Sequence, residues 1–153
     1  MPDRERGAAL DAAIELMYFA YRGFVGEADH VLAKRGLART HHRILFFVAR
    51  LERPTVGELR RTLDVSKQSL AGPLRDLKRQ DLIAWLRDAD DARVRRLVLT
   101  TRGRALERRL STLQRRQLAA AFASMGARNE TAWRAVMRAL ARGELDRSGR
   151  ELR

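Results

Sequence analysis

The sequence predicts a mainly α-helical protein with one small β-hairpin. Three observations carry this prediction. Long segments near both ends repeat apolar residues at steps of three and four, which is the spacing of one helix face. Two shorter segments that also suit helices follow one another in the middle of the chain. Just after them, the β-type runs LIAWLR and RVRRLVLT are separated by the turn sequence DADDA.

The composition is that of one compact domain. With 153 residues, of which 45% are apolar and 33% charged, the chain is long enough to bury a core. It contains no run of about 18 apolar residues that would span a membrane. Its first residues mix acids with bases and lack a small-residue cleavage site. We therefore expect a cytoplasmic protein that does not bind a membrane.

The residue types also narrow the chemistry. The absence of cysteine excludes disulfides, thiolate nucleophiles and thiolate metal ligands. His41 and His42 are adjacent, so on a helix they point about 100° apart, and we expect them on the surface near a helix cap rather than in a metal site. No Gly-rich phosphate loop or catalytic triad pattern is present. We expect no metal, no cofactor and no enzymatic activity.

The positive charge is concentrated in the middle of the chain. The formal net charge is +13, and the segment from Arg60 to Arg116 has 16 Lys/Arg and 7 Asp/Glu, a net +9. Nucleic acid, an anionic membrane and plain solubility are all compatible with such a charge. The motifs within the segment must therefore decide between them.

The N-terminal segment predicts two helices. The first is expected from Ala8 to Arg35 and has enough apolar residues to pack on two sides. Thr40 suits the N-cap of the second helix, which Arg53-Pro54 would close. The stripe of the first helix consists of Leu10, Ile14, Met17, Tyr21, Phe24, Ala28 and Val31.

The tandem short helices have the layout of a helix-turn-helix. Thr55 can cap the first, Asp64-Val65 forms the turn, and Ser66 caps the second. Leu70, Leu74 and Leu77 share the core face of the second helix, and Gln68, Gly72, Arg75 and Arg79 lie on the opposite face. Such a helix presents side chains to base edges, while its first turn holds phosphate. The candidate DNA-binding residues here are Thr55, Ser66, Lys67, Gln68, Ser69, Arg75 and Arg79. The alternative is a solvated surface.

Pro73 complicates this helix. It lies seven residues after Ser66, and its missing N–H and its ring oppose a straight helix interior. We expect either a kink or a helix that starts late.

The hairpin that follows has the position of a wing. Arg93 and Arg95, at or near its tip, are placed to enter a minor groove, where narrow A·T-rich DNA concentrates negative potential. Asp91 is expected to orient Arg93. The alternative is that the charge cluster is a solvated turn.

The segment TVGELRRTLDVSKQSLAGPLRDLKRQDLIAWLRDADDARVRRLVLTTRG resembles the winged helix-turn-helix core of the MarR family of bacterial transcription regulators. The likeness includes Asp91-Ala92-Arg93 in the wing and the pattern L-T-x-x-G that ends at Gly103. It covers about a third of the chain. The resemblance implies a homodimer, interlocked through its terminal helices, that binds pseudo-palindromic DNA and often releases it on binding a small phenolic or anionic ligand.

The resemblance divides one domain, residues 1–153, into three parts. These are a winged helix-turn-helix core at 36–103, dimerisation helices at 1–35 and 104–145, and a frayed tail at 146–153. A long helix is expected from Thr101, and Asn129 suits the cap of a last helix that contains Trp133 and Val136. The apolar faces of these helices pack either inside a monomer or against a second copy. We expect packing against a second copy, because small DNA-binding proteins commonly form two-fold symmetric dimers whose two subunits bind the two half-sites of a DNA site.

Six residues are candidates for an effector pocket between the first two helices: Met17, Tyr18, Tyr21, Arg22, His42 and Phe46. They supply aromatic walls and polar groups for a small aromatic or anionic ligand. The alternative is ordinary core, or a simple surface contact for Tyr18 and Arg22.

The sequence therefore predicts a transcription regulator that binds specific double-stranded DNA, and a ligand-responsive repressor is the favoured form. A nonspecific architectural DNA-binding protein is the main alternative, and a protein-interaction module with no DNA binding is the third.

Overall fold

The computed structural model describes residues 3–151. Positions 1–2 of the dimerisation segment predicted at 1–35, and positions 152–153 of the predicted tail, lie outside this range. Within it, six helices and two strands follow in order: α1 (Asp3–Ala33), α2 (Arg39–Arg50), α3 (Val56–Leu63), α4 (Lys67–Arg79), β1 (Ile83–Arg87), β2 (Arg95–Leu99), α5 (Thr101–Met125) and α6 (Ala127–Ser148). The predicted fold class, mainly α with a small hairpin, is confirmed.

The start of α2 differs from the prediction. Its N-cap is Ala38, so the assignment of Thr40 as the cap is wrong. The Nδ1 atom of His41 accepts the backbone N–H of Ala38 at 2.9 Å. The imidazole ring thus satisfies the N–H of the N-cap residue itself, as the N3 side chain does in a capping box.

The two helices of the helix-turn-helix begin at the predicted caps. Thr55 and Glu58 form a reciprocal capping box, with hydrogen bonds of 3.1 and 2.7 Å. Asp64 closes α3 in the left-handed region, with φ of 49°. Ser66 then accepts the backbone N–H of Ser69 at 3.0 Å. Because α4 begins directly after Ser66 and continues through Pro73 to Arg79, a late start of this helix is ruled out.

The hairpin is antiparallel and packs on the core through alternate residues. Its register pairs Ile83 with Leu99 and Trp85 with Leu97. The backbone N–H of Leu97 also donates to the Pro54 carbonyl at 2.8 Å, which joins the hairpin to the start of α3. The wing and the first helix of the pair are therefore one packed unit.

One hydrophobic cluster joins the end of α1 to the winged helix-turn-helix elements and the start of α5. The three predicted core leucines of α4 belong to it. Its buried members are Ala28, Val31, Leu32, Leu37, Ile44, Leu45, Val48, Leu59, Leu70, Leu74, Leu77, Leu82, Ile83, Leu97, Leu99, Leu106 and Leu110. This cluster fixes the orientation of α4 and of the hairpin.

The terminal helices bury little within the chain. In α1 only Val25, Ala28, Val31 and Leu32 are buried, and α6 has no buried residue among those described. The N-cap of α6 is Gly126, with φ of 84°, so the assignment of Asn129 as the cap is wrong. Asn129 lies inside the first turn, where its amide donates to the Met125 carbonyl at 2.8 Å. The helix ends at Ser148, beyond position 145, because Gly149 closes it in the left-handed region.

Candidate nucleic-acid interface

The first turn of α4 presents an exposed polar surface. Ser66, Lys67, Gln68 and Ser69 are all exposed, and the turn contains no acidic residue. The hydroxyl groups of Ser66 and Ser69 are 2.7 Å apart. Since backbone N–H groups at a helix N-terminus and nearby cations favour anions, this turn has the chemistry to hold a phosphate.

Farther along α4, Arg75 and Arg79 are exposed on the side away from the buried leucines, as the helical spacing predicts. Arg75 and Arg79 therefore lie on the same exposed side of α4 as Gln68. Thr55, at the start of α3, uses its hydroxyl oxygen to accept the Glu58 N–H, so its position is fixed by the cap. The structure therefore brings together the candidate residues of α4 as one polar, mainly basic face.

On this helix, Asp76 lies between the imidazole of His41, which belongs to α2, and the guanidinium of Arg79. Its carboxylate accepts from His41 Nε2 at 3.1 Å and from Arg79 NH2 at 2.8 Å. The hydrogen bond from His41, and then the nearby charge of Arg79, lowers the pKa of Asp76. Sequence reasoning missed this pair, because His41 is 35 residues away and no local pattern connects the two positions.

At the wing tip, Arg93 is almost fully solvent-exposed, with 96% of its side chain accessible. Its backbone N–H donates to Asp91 Oδ1 at 3.0 Å, and its Nε lies 3.9 Å from the same oxygen. Arg95 is exposed as well. Two guanidinium groups thus extend from the hairpin toward solvent.

The base of the wing is held by Asp88, which sequence reasoning also missed. Its carboxylate pairs with Arg96 and accepts the backbone N–H groups of Asp90 and Asp91, each at 3.1 Å. The ion pair with Arg96, followed by the two backbone hydrogen bonds, lowers the pKa of Asp88. An aspartate that bonds to the backbone two residues on is typical of a turn, and that local signal was available in the DADD sequence.

A separate cavity of about 440 Å³ lies between α1, α2 and α5. Of the six candidate effector residues, Tyr21, His42 and Phe46 line it, whereas Met17, Tyr18 and Arg22 do not. The Arg22 guanidinium instead lies 5.7 Å from the centre of the Tyr18 ring. The full lining is Tyr21, Phe24, Val25, Arg39, His42, Arg43, Phe46, Phe47, Arg50, Ser111, Gln114, Arg115 and Leu118.

The expectation that His41 and His42 lie on the surface is wrong, since each is 7% exposed. The Nε2 atom of His42 is buried and has no hydrogen-bond partner among the residues that the structure describes. Burial lowers the pKa of His42, because the charged imidazolium loses its hydration. Within residues 3–151, no three His, Asp or Glu side chains are close enough together to hold a metal ion.

Behind the cavity wall, the carboxylate of Glu107 joins two of the lining residues, Arg50 of α2 and Ser111 of α5. Arg50 NH1 donates to Glu107 Oε1 at 2.7 Å, and Ser111 donates to the same oxygen at 2.5 Å. The Arg50 guanidinium also lies 3.5 Å from the centre of the Phe46 ring. Sequence reasoning missed Arg50 and Glu107, which are 57 residues apart.

Two tandem helices, a hairpin packed against them and an exposed basic helix face define a winged helix-turn-helix protein. The sequence profile of the MarR family matches residues 35–94. The HTH-type transcriptional regulator PetP of Rhodobacter capsulatus is 39% identical over 131 residues, which cover 86% of this chain and 79% of that protein. The chain belongs to the MarR family of DNA-binding transcription regulators.

Solved structures share the fold. A crystal structure of a MarR family transcription regulator has a TM-score of 0.77 at 21% identity and covers 97% of this chain and 98% of its own. A mutant MepR from S. aureus, bound to an oligodeoxyribonucleotide, has a TM-score of 0.59 at 20% identity, with 84% and 96% coverage. NadR in complex with 4-hydroxyphenylacetate has a TM-score of 0.67 at 19% identity, with 82% and 89% coverage.

No helix within residues 3–151 is both long and apolar enough to cross a membrane.

Proposed function

We propose that this protein represses transcription by binding a pseudo-palindromic operator as a homodimer, and that a small aromatic or anionic ligand releases it. The observation that carries the proposal is the exposed, acid-free first turn of α4, together with a wing that has two exposed arginines. In this role Lys67, Ser66, Ser69 and Thr55 hold phosphates, Gln68, Arg75 and Arg79 face base edges, and Arg93 and Arg95 enter the minor groove. Asp91 positions Arg93. The proposal gives the protein no enzymatic role and places it in the bacterial cytoplasm, where the chromosome lies.

Dimerisation is supported by the apolar surface that the terminal helices leave uncovered. Ile14 is 65% exposed, and Leu140 is 61% exposed. Further uncovered apolar side chains on these helices are Leu10, Leu16, Met17, Phe19, Met125 and Val136. Extensive exposed apolar surface is rare on soluble monomers and marks interaction sites. A second copy would cover them and place two α4 helices on two half-sites.

Ligand binding is supported by the cavity between α1, α2 and α5. Its walls are aromatic, with Phe24 and Phe46 among them, and its polar groups include Arg43 and the unpartnered Nε2 of His42. Ligand sites commonly combine apolar walls with a few such polar groups. The NadR structure contains 4-hydroxyphenylacetate, which is a suitable first probe. We expect it to weaken DNA binding here, and His42→Phe to reduce that effect by filling the cavity.

The decisive experiment measures sequence specificity. Duplexes selected by the protein from a random pool are competed against random duplex at fixed salt. A regulator of this kind should discriminate by about 10³-fold or more. An architectural DNA-binding protein would show almost no discrimination, and a protein-interaction module would bind neither duplex. Either of those results would refute the proposal.

A further inference from the structure

His41 connects the start of α2 to the middle of α4. The residue is 7% exposed, so its ring is held among other side chains rather than in water. Its Nδ1 accepts the backbone N–H of Ala38 at 2.9 Å, and its Nε2 lies 3.1 Å from Asp76 Oδ2. Both ring nitrogens therefore make hydrogen bonds, Nδ1 to the start of α2 and Nε2 to α4.

The two contacts define the tautomer of the neutral ring. An imidazole nitrogen that accepts an N–H carries no proton, so the Nδ1 atom of His41 is bare. The proton of the neutral ring is then on Nε2, which donates it to the Asp76 carboxylate. This geometry makes His41 a directional donor to α4, in addition to a packed side chain.

Asp76 passes this constraint to the exposed face of α4. Its second oxygen, Oδ1, accepts from Arg79 NH2 at 2.8 Å, and Arg79 is 69% exposed. A free arginine on a surface samples many rotamers and loses that freedom when it binds DNA. An Arg79 side chain that is already held by Asp76 loses less conformational entropy on binding.

We propose that His41 is a positioning residue for DNA recognition: through Asp76 it fixes the direction of Arg79 on the face of α4. The inference rests on the proposed use of that face to read bases. It also gives a reason for an acid on a surface that faces phosphates. The carboxylate of Asp76 repels DNA by its charge, and orienting the cation of Arg79 offsets that repulsion.

A pair of substitutions at one position separates the two contacts of His41. The side-chain oxygen of asparagine lies near the position of Nδ1, so His41→Asn keeps an acceptor for the Ala38 N–H but does not reach Asp76. The longer side chain of His41→Gln places a donor near the position of Nε2. Both variants remove the imidazole, so they control for each other in packing.

The test uses the full-length protein and a duplex that the parent selects from a random-sequence pool. We expect His41→Asn to bind this duplex about tenfold more weakly and to discriminate less against single-base variants of it. His41→Gln should recover most of both losses. Since no phosphate contact is removed, the dependence of affinity on salt should stay that of the parent.

A double-mutant cycle with Arg79→Ala tests whether His41 acts through Arg79. If His41 acts through Arg79, His41→Asn should cause little further loss in the Arg79→Ala background. Should His41→Asn fail to fold, Asp76→Asn and its combination with Arg79→Ala make the same comparison. Equal specificity in the parent and His41→Asn, or an undiminished defect in the Arg79→Ala background, would overturn the proposal. A parent protein that selects no duplex would instead refute the proposed function.

Discussion

Asp88 and Arg96 form an ion pair across the base of the wing, between the end of β1 and the start of β2. The same carboxylate accepts the N–H groups of Asp90 and Asp91 in the turn. Arg96 also reaches the Arg53 carbonyl at 3.0 Å and lies 3.5 Å from Glu58. Asp88 therefore shapes the wing tip that carries Arg93, and Arg96 connects that tip to the helix-turn-helix.

Asp88→Ala should weaken operator binding by about 3- to 10-fold, even though it removes a negative charge from a DNA-binding surface. Loss of the charge-assisted hydrogen bonds would leave the wing tip without a fixed shape. The measurement is affinity for the selected duplex at two salt concentrations. Asp90→Ala is the matched control, because it removes the same charge from an exposed side chain of the same turn. Equal affinities of the two variants would contradict the role given to Asp88.

Gly103→Ala should destabilise the protein strongly. A Cβ atom at this position would lie 1.8 Å from the backbone oxygen of Leu82, which is fully buried. Because that oxygen belongs to the backbone at the start of the hairpin, α5 and the wing would have to separate. We expect a loss of about 4 kcal/mol or more, as for other severe core disruptions.

Gly7→Ala is the control for that measurement. Gly7 lies in α1, and no atom of a neighbouring element is within 4 Å of the place that an added methyl group would take. Alanine should therefore stabilise the helix by about 0.5–1 kcal/mol. Chemical denaturation of the three proteins gives the free energies of unfolding. A Gly103→Ala variant as stable as the parent would show that the close approach of α5 to the hairpin is not required.

Much of the fold follows from local sequence signals, and the exceptions have physical causes. Thr55 and Ser66 were predictable caps because their hydroxyl groups bond within one turn. Thr40 was not the cap because the helix begins one residue earlier, at Arg39, where the ring of His41 binds the N–H of the N-cap residue Ala38. The exposed face of α4 followed from helical spacing. Its connection to His41 did not, since a contact between residues 35 positions apart exists only once α2 and α4 pack together.

Stability should fall as the pH is lowered through the range in which histidine titrates. Burial holds the pKa of His42 below its ordinary value of 6.5, so the unfolded chain binds this proton more readily than the folded one. The stability contributed by neutral His42 is fully present above 6.5 and is lost as the pH falls toward the lowered pKa. For one proton, the slope cannot exceed about 1.4 kcal/mol per pH unit.

Unfolding free energies between pH 7.5 and 5 check this expectation. His42→Gln should flatten the decline, because the buried titrating group is gone. His30→Gln is the control, since His30 is exposed on α1. An unchanged pH dependence in His42→Gln would mean that the folded protein accommodates the imidazolium.

Ile14→Glu should convert the protein to folded monomers. In the single chain this side chain is 65% exposed, so the substitution costs little within one subunit. In a dimer it would place a charge in an apolar interface at two sites, where burial of each isoleucine contributes about 1.5–3 kcal/mol. Sedimentation should therefore show a dissociation constant raised more than about a hundredfold. A dimeric Ile14→Glu would exclude this part of α1 from the interface.

Substitutions at Arg93 and Lys67 should have different signatures, because the two side chains are proposed to meet different parts of the DNA. Arg93→Ala should weaken operator binding and flatten the preference for A·T-rich flanks, since a narrow minor groove attracts an inserted guanidinium. Lys67→Ala should lower affinity about evenly across sequences. It should also reduce the slope of log K against log salt by about one for each phosphate that is no longer neutralised, or about two in a symmetric dimer.

Asp91→Ala distinguishes an oriented wing from a solvated turn. Removing an acid beside DNA favours binding on charge alone, but Asp91 accepts the Arg93 N–H at 3.0 Å. If that contact positions Arg93, Asp91→Ala should weaken binding to A·T-flanked duplexes, and it should have no such effect in the Arg93→Ala background. Fluorescence anisotropy with duplexes that differ only in their flanks measures both effects. Tighter binding by Asp91→Ala, together with an Arg93→Ala variant that binds like the parent, would show that the wing tip does not contact the groove.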